Sequence, residues 1–221
     1  MMETMRQKIA RLELFQVQLA LLAAIGLQIA TRRIGNELLP GAQYIIVVIE
    51  IVLALLISLT VNRRRNSDLG VHRAFAILLL ALISVINVSG LIYVLHSLLI
   101  SHSTLNGESL LASAIAIFAT NIIVFSLWYW EIDSPGLTRT RWSRHDKDFQ
   151  FTQQDIGHDE FENWRPQFGD YLYLSITNAV NFAPADVRPI TLQAKALMAV
   201  QSLISVFTLA LLIARSVNIL G

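Results

Sequence analysis

The sequence predicts an all-α, polytopic membrane bundle: five transmembrane helices, with a re-entrant or amphipathic half-helix before the last. Three observations predict it. Hydrophobic residues fill 54% of the 221 positions and charged residues only 15%, against roughly 45–50% and about 25% in average soluble domains. The excess is gathered into blocks about 20 residues long, the length that crosses a bilayer as a helix. Finally, Asp170 to Gly221 reads as a short apolar helix, an irregular turn and one full-length apolar run. That order is the grammar of a re-entrant loop beside a spanning helix.

Met1 to Arg11 is polar, and Leu12 to Ala30 is the first apolar block. A basic start before an apolar run also fits a signal peptide. The block is long and QIA before Thr31 is a poor cleavage site, which favours a retained first span. Pro40-Gly41 marks a turn. Ala42 to Thr60 is the second span, Ala74 to Ile100 the third and Leu110 to Trp130 the fourth. The fourth closes on Trp128, Tyr129 and Trp130, and rings of this kind favour the membrane–water boundary, so they are expected as anchors. Glu131 to Gly169 is polar and too short for a core of its own. Its spaced aromatics, among them Phe149, Phe151, Trp164 and Phe168, suggest a segment that packs onto the bundle. Asp170 stands where a helix N-cap would, before the apolar run Tyr171 to Val180. Pro189 resets the chain, and Thr191 to Leu220 is the fifth span. The expected organisation is a four-span bundle (1–130), a polar cytoplasmic segment (131–169) and a terminal module (170–221).

Lys and Arg near span ends set orientation. With five spans, one side carries eleven of them, including Arg6, Arg63 to Arg65 and Arg139, and the other only Arg32 and Arg33. The N-terminus, the polar segment and the re-entrant turn are therefore expected in the cytoplasm. A net charge of +1 makes no case for nucleic acid. The chain has no cysteine, which excludes disulfides and thiol chemistry. No nucleophile–base pair, phosphate-binding glycine loop or haem-ligand pair stands out, so no cofactor is expected and an enzyme has no positive support.

The terminal stretch is similar to the pore loop and inner helix of two-transmembrane potassium-channel modules. Asp186, Pro189 and Thr191 keep the spacing such modules show after their filter. The filter itself departs: Ala183 and Ala185 stand where glycines would fall, and Pro184 where the aromatic would. Alanine resists positive φ and proline fixes φ near −65°, so the resemblance implies a pore-like module without potassium selectivity. A broader likeness covers most of the chain. FSLWYWEID, DFQF, DYLYLSITNA, NFAPAD and ARSVNIL, in that order, resemble a family of bacterial multi-pass integral membrane proteins of about this length. The resemblance implies a bacterial plasma-membrane protein and transfers no catalytic residue.

Glu50 is the sharpest single feature. A carboxylate in mid-span costs about 2.5–3.5 kcal/mol on insertion scales, so it must be protonated, paired or facing water. Glu50, Asn87 and Asn121 all fall near mid-bilayer, with Gln201, Ser202 and Ser205 as plausible neighbours. Such a cluster either handles a proton, cation or small polar solute, or forms an interhelical hydrogen-bond knot. Asn178, Asn181 and Asp186 line the terminal turn. They either present oxygens to a solute, as discontinuous transporter helices do, or satisfy backbone groups where the helix stops. His145, Asp148, His158 and Glu162 are weak metal candidates in a loop that reads by default as solvated.

Two functions follow as expectations. The first is channel-like or transport-like conduction of an ion or small polar solute by a homo-oligomer in the lipid bilayer. The second is a scaffold that binds a partner through the aromatic-rich polar segment. A metal-dependent membrane enzyme is a third possibility and would require bound metal.

Overall fold

A computed structural model describes residues 2–34, 48, 52, 69–99, 107–133, 147–156, 164–181 and 186–220. The fold is mostly helical. Helix α1 spans Met2–Ile34, α2 Leu69–Leu99, α3 Gly107–Asp133, α4 Phe168–Asn181 and α5 Leu192–Leu220. Among the described residues, three stretches are long and apolar enough to cross a membrane: Ala74–Ser97 in α2, Glu108–Asp133 in α3 and Leu192–Ala214 in α5. The apolar part of α1, Phe15–Ala30, is shorter. The expected second span, Ala42 to Thr60, lies outside the described residues apart from Val48 and Val52.

The strict all-α expectation needs one correction. Strand β1 (Phe149–Phe151) pairs antiparallel with β2 (Val187–Pro189), in the register Phe149↔Pro189, Gln150↔Arg188, Phe151↔Val187. Three alternating residues on each side give almost no sequence signal, yet the ribbon joins the neck before α4 to the neck after it. Pro189 falls at the non-hydrogen-bonded pair, where its missing N–H costs the ladder nothing. Helix boundaries also move. The polar start of the chain is helical from Met2 and continuous with the first apolar block.

Helix α3 is the hub. It packs against α1, α2, α4 and α5, and 61% of its span is buried inside the protein, against 33% for the spans of α2 and α5. The aromatic end of α3 departs from the anchor expectation for the same reason. Tyr129 and Trp130 are fully enclosed, and half-buried Trp128 donates its indole N–H to Ser84 Oγ of α2 at 3.0 Å. Rings at the end of an apolar run look alike in sequence whether lipid or protein surrounds them. Here Tyr129 meets the edge of Phe149 at a centroid distance of 5.2 Å, and Trp130 meets Phe168 at 6.4 Å. Residues from all three sequence segments share one core.

That core is divided. One apolar cluster takes in Val17, Leu79, Ile83, Val124, Phe149, Tyr171, Leu174 and Met198 among others. A second, smaller one is formed by Leu91, Val94, Leu110, Ile117 and Leu211. Between them in each helix come buried polar residues: Asn87 in α2, Thr120 and Asn121 in α3, and Gln201, Ser205 and Thr208 in α5.

Candidate functional site

Helix α4 is amphipathic in an inverted sense. Its 14 residues turn Ser175 and Asn178 inward with Tyr171 and Leu174, while Tyr173, Ile176 and Val180 are exposed. Three- and four-residue spacings place each set on one face. The polar pair meets a buried glutamine on α5. Gln201 Oε1 accepts from the Tyr129 hydroxyl and from Asn178 Nδ2, the latter at 2.8 Å. Gln201 Nε2 donates to Ser175 Oγ at 2.7 Å and to the Ser175 carbonyl at 3.0 Å. Asn178 Nδ2 also reaches the Met198 carbonyl at 3.1 Å, and Asn178 Oδ1 accepts from Ser202 Oγ at 3.3 Å.

The depth of this network is fixed by one contact. Ser175 Oγ donates at 2.6 Å to the Ile122 carbonyl, which lies about halfway along the Glu108–Asp133 span. One turn further, Asn121 Nδ2 donates to Ser205 Oγ at 3.0 Å and approaches the Gln201 carbonyl at 3.5 Å. The result is a buried layer of amides and hydroxyls. It offers hydrogen bonds and contains no nucleophile poised beside a base.

A second anchor sits at the end of α3. Buried Asp133 accepts from the Tyr171 hydroxyl at 2.6 Å through Oδ2, and from the backbone N–H groups of Asp148 and Phe149 through Oδ1. Asp148 in turn accepts the Thr191 hydroxyl on its carboxylate and the Ile190 N–H on its carbonyl. Thr191 Oγ1 also accepts from Ala194 N–H at 3.2 Å, which caps the start of α5. One chain of bonds thus ties together α3, β1, α4 and α5.

Asp170 sits in the first turn of α4 rather than at its N-cap, because the helix begins two residues earlier. Its Oδ2 accepts from Gln167 N–H at 2.7 Å, the back-reaching half of a capping box. Burial pushes its carboxyl above the usual range, partly offset by that bond. On the open face, Tyr173 donates to Asp186 at 3.0 Å.

The sequence-predicted residues therefore have different fates. Asn121 and Asn178 both enter the buried layer. Asn87 lies at the same level but turns to the Ile117 carbonyl, at 3.4 Å. Asn181 and Asp186 are exposed at the outer ends of the turn. Asp148 accepts the Thr191 hydroxyl, and among the described residues no group of three His, Asp or Glu is placed to hold a metal. Glu50, His145, His158 and Glu162 lie outside the described residues, as do the filter-like positions Ala183 to Ala185. Tyr129, Asp133 and Ser175 are site residues that the sequence reading missed. Tyr129 carried a signal, since 121, 125 and 129 repeat every four residues and share the face of Asn121.

The fold and this layer define a helical membrane protein with a polar seam at mid-helix depth. No protein-family model matches the chain, and no curated protein and no solved structure is detectably similar to it.

Proposed function

We propose that this is a five-span protein of the bacterial plasma membrane, with a cytoplasmic N-terminus, in which α4 is a re-entrant half-helix. We infer that it passes an ion or small polar solute in a channel-like or transport-like manner, as a homo-oligomer and without potassium selectivity. The observation that carries the reading is the pairing of Ser175 with the Ile122 carbonyl. A 14-residue helix ends its polar face halfway along a 26-residue apolar span, while its outer face is apolar. Outward Ile176 and Val180 favour hydrocarbon over water, while Tyr173 keeps its hydroxyl on the Asp186 carboxylate. Discontinuous helices that stop at mid-membrane beside buried polar side chains are the usual setting of transporter binding sites. The partner-binding alternative draws on the aromatics of the polar segment, but Phe149, Phe151 and Phe168 are buried in the bundle and offer nothing outward.

The test is flux. Full-length protein in vesicles, challenged with a panel of monovalent salts, urea and glycerol, is expected to pass at least one of them faster than protein-free vesicles. Vesicles as tight as the protein-free control to every solute would overturn the transport reading.

A further inference from the structure

Two buried side-chain atoms among the described residues have no hydrogen-bond partner: Gln28 Oε1 and Asn121 Oδ1. Both are acceptors, and neither amide can be turned over to relieve the problem. Gln28 Nε2 donates at 2.8 Å to the Ile83 carbonyl, and Asn121 Nδ2 lies against the Gln201 carbonyl and Ser205 Oγ. A flip of Gln28 would set amide oxygen against carbonyl oxygen; a flip of Asn121 would let the Ser205 hydroxyl donate to it but oppose it to the Gln201 carbonyl and leave Nδ2 with no acceptor. Asn121 Oδ1 is therefore a buried acceptor without a donor.

The described part of the seam is also neutral. Its described members, Asn87, Thr120, Asn121, Ser175, Asn178, Gln201, Ser205 and Thr208, carry no charge, while buried Glu131 and Asp133 lie at the end of α3. Among the described residues a cation there would find no counter-charge for its lost hydration, and an anion would face the Asn121 oxygen. What fits is an uncharged molecule with an N–H or O–H to give. Asn121 is fully enclosed, with an apolar cluster on either side, and Ile204 packs against both.

We propose that Asn121 Oδ1 is a mid-span binding position for a small neutral hydrogen-bond donor, of the class of urea and short polyols. This deepens the transport reading and rests on it.

The experiment is stopped-flow shrinkage and swelling of vesicles holding the full-length protein, with urea, glycerol and potassium chloride as probes. Urea or glycerol is expected to enter well above the protein-free rate, and potassium chloride is not. Asn121→Leu is expected to lower that entry by about tenfold, the effect of one lost hydrogen bond. Ser89→Ala, on the exposed face of α2 and outside the seam, retains it. If Asn121→Leu does not fold, Asn121→Thr keeps one oxygen in the seam and is expected to retain part of the entry. Potassium chloride flux without urea or glycerol flux would overturn this inference and leave transport standing, as would undiminished urea and glycerol entry in the Asn121 variant that folds. Absence of every flux would overturn both.

Discussion

Asn178 Nδ2 stands 2.8 Å from Gln201 Oε1 where α4 meets α5, and both side chains are fully buried. The pair is the centre of a network that also takes in Tyr129 and Ser175. Because the members share partners, their contributions are coupled and do not add.

Replacing Gln201 should therefore be the most damaging single polar change. Gln201→Leu leaves Tyr129, Ser175 and Asn178 short of partners at once, and a loss of about 3 kcal/mol is expected. Thermal unfolding in detergent measures it. The double variant with Asn178→Leu should lose clearly less than the two single losses combined.

Tyr171→Phe tests the second anchor. It removes one donor from buried Asp133 and keeps the ring, whose edge-on contact with Phe151 has a centroid distance of 5.4 Å. A loss of about 2 kcal/mol is expected, because the acceptor is a carboxylate. Equal unfolding temperatures for variant and parent would mean that Asp133 does not hold α4.

Thr191 joins two roles. Thr191→Ala removes the cap on α5 and the donor to Asp148. The cap alone is worth about 1 kcal/mol. Thr191→Ser keeps the hydroxyl and should restore most of the unfolding temperature.

The raised carboxyl of Asp170 gives a pH signature of fixed sign. A folded-state value above the unfolded one means the folded chain holds its proton more tightly. This contribution to stability is largest in acid and is lost as pH rises from the ordinary carboxylate value through the raised one. Asp170→Asn should remove that component. Unfolding temperatures of parent and variant, compared from acid to neutral pH, should draw apart across the carboxylate range and run parallel above it.

The placement of α4 is open to labelling, since the chain has no cysteine to interfere. Ile176→Cys and Val180→Cys on the outward face should resist a membrane-impermeant thiol reagent in intact vesicles and react after detergent is added. Arg188→Cys, on the exposed ribbon, should react from the cytoplasmic side without detergent.

Much of this architecture was legible from apolar block lengths, because a bilayer imposes a length that composition reveals. The bounds of α3 and α5, and the short α4, follow from it. The contact of Asn121 with Ser205 was legible too, since polar residues in mid-span have few places to go other than one another. The ribbon was not legible, because Phe149 to Phe151 and Val187 to Pro189 gain their structure only from pairing across the intervening half-helix. Nor was the burial of Tyr129 and Trp130. Their neighbours Phe149, Phe168 and Tyr171 arrive from distant sequence, and no local pattern separates a lipid anchor from a core ring.

The partners of Ser175 and Asn178 on α5 have a consequence for the order of assembly. A ribosome delivers α4 before α5, so until position 201 emerges the half-helix has an inward face with half of its bonds unmade. Its bonds to Ile122, Tyr129 and Asp133 of α3 can form at once, and those to Met198, Gln201 and Ser202 only after α5 has been threaded into place. A nascent chain stopped at Thr191 should leave α4 held by α3 alone, and α5 is the helix that completes the seam.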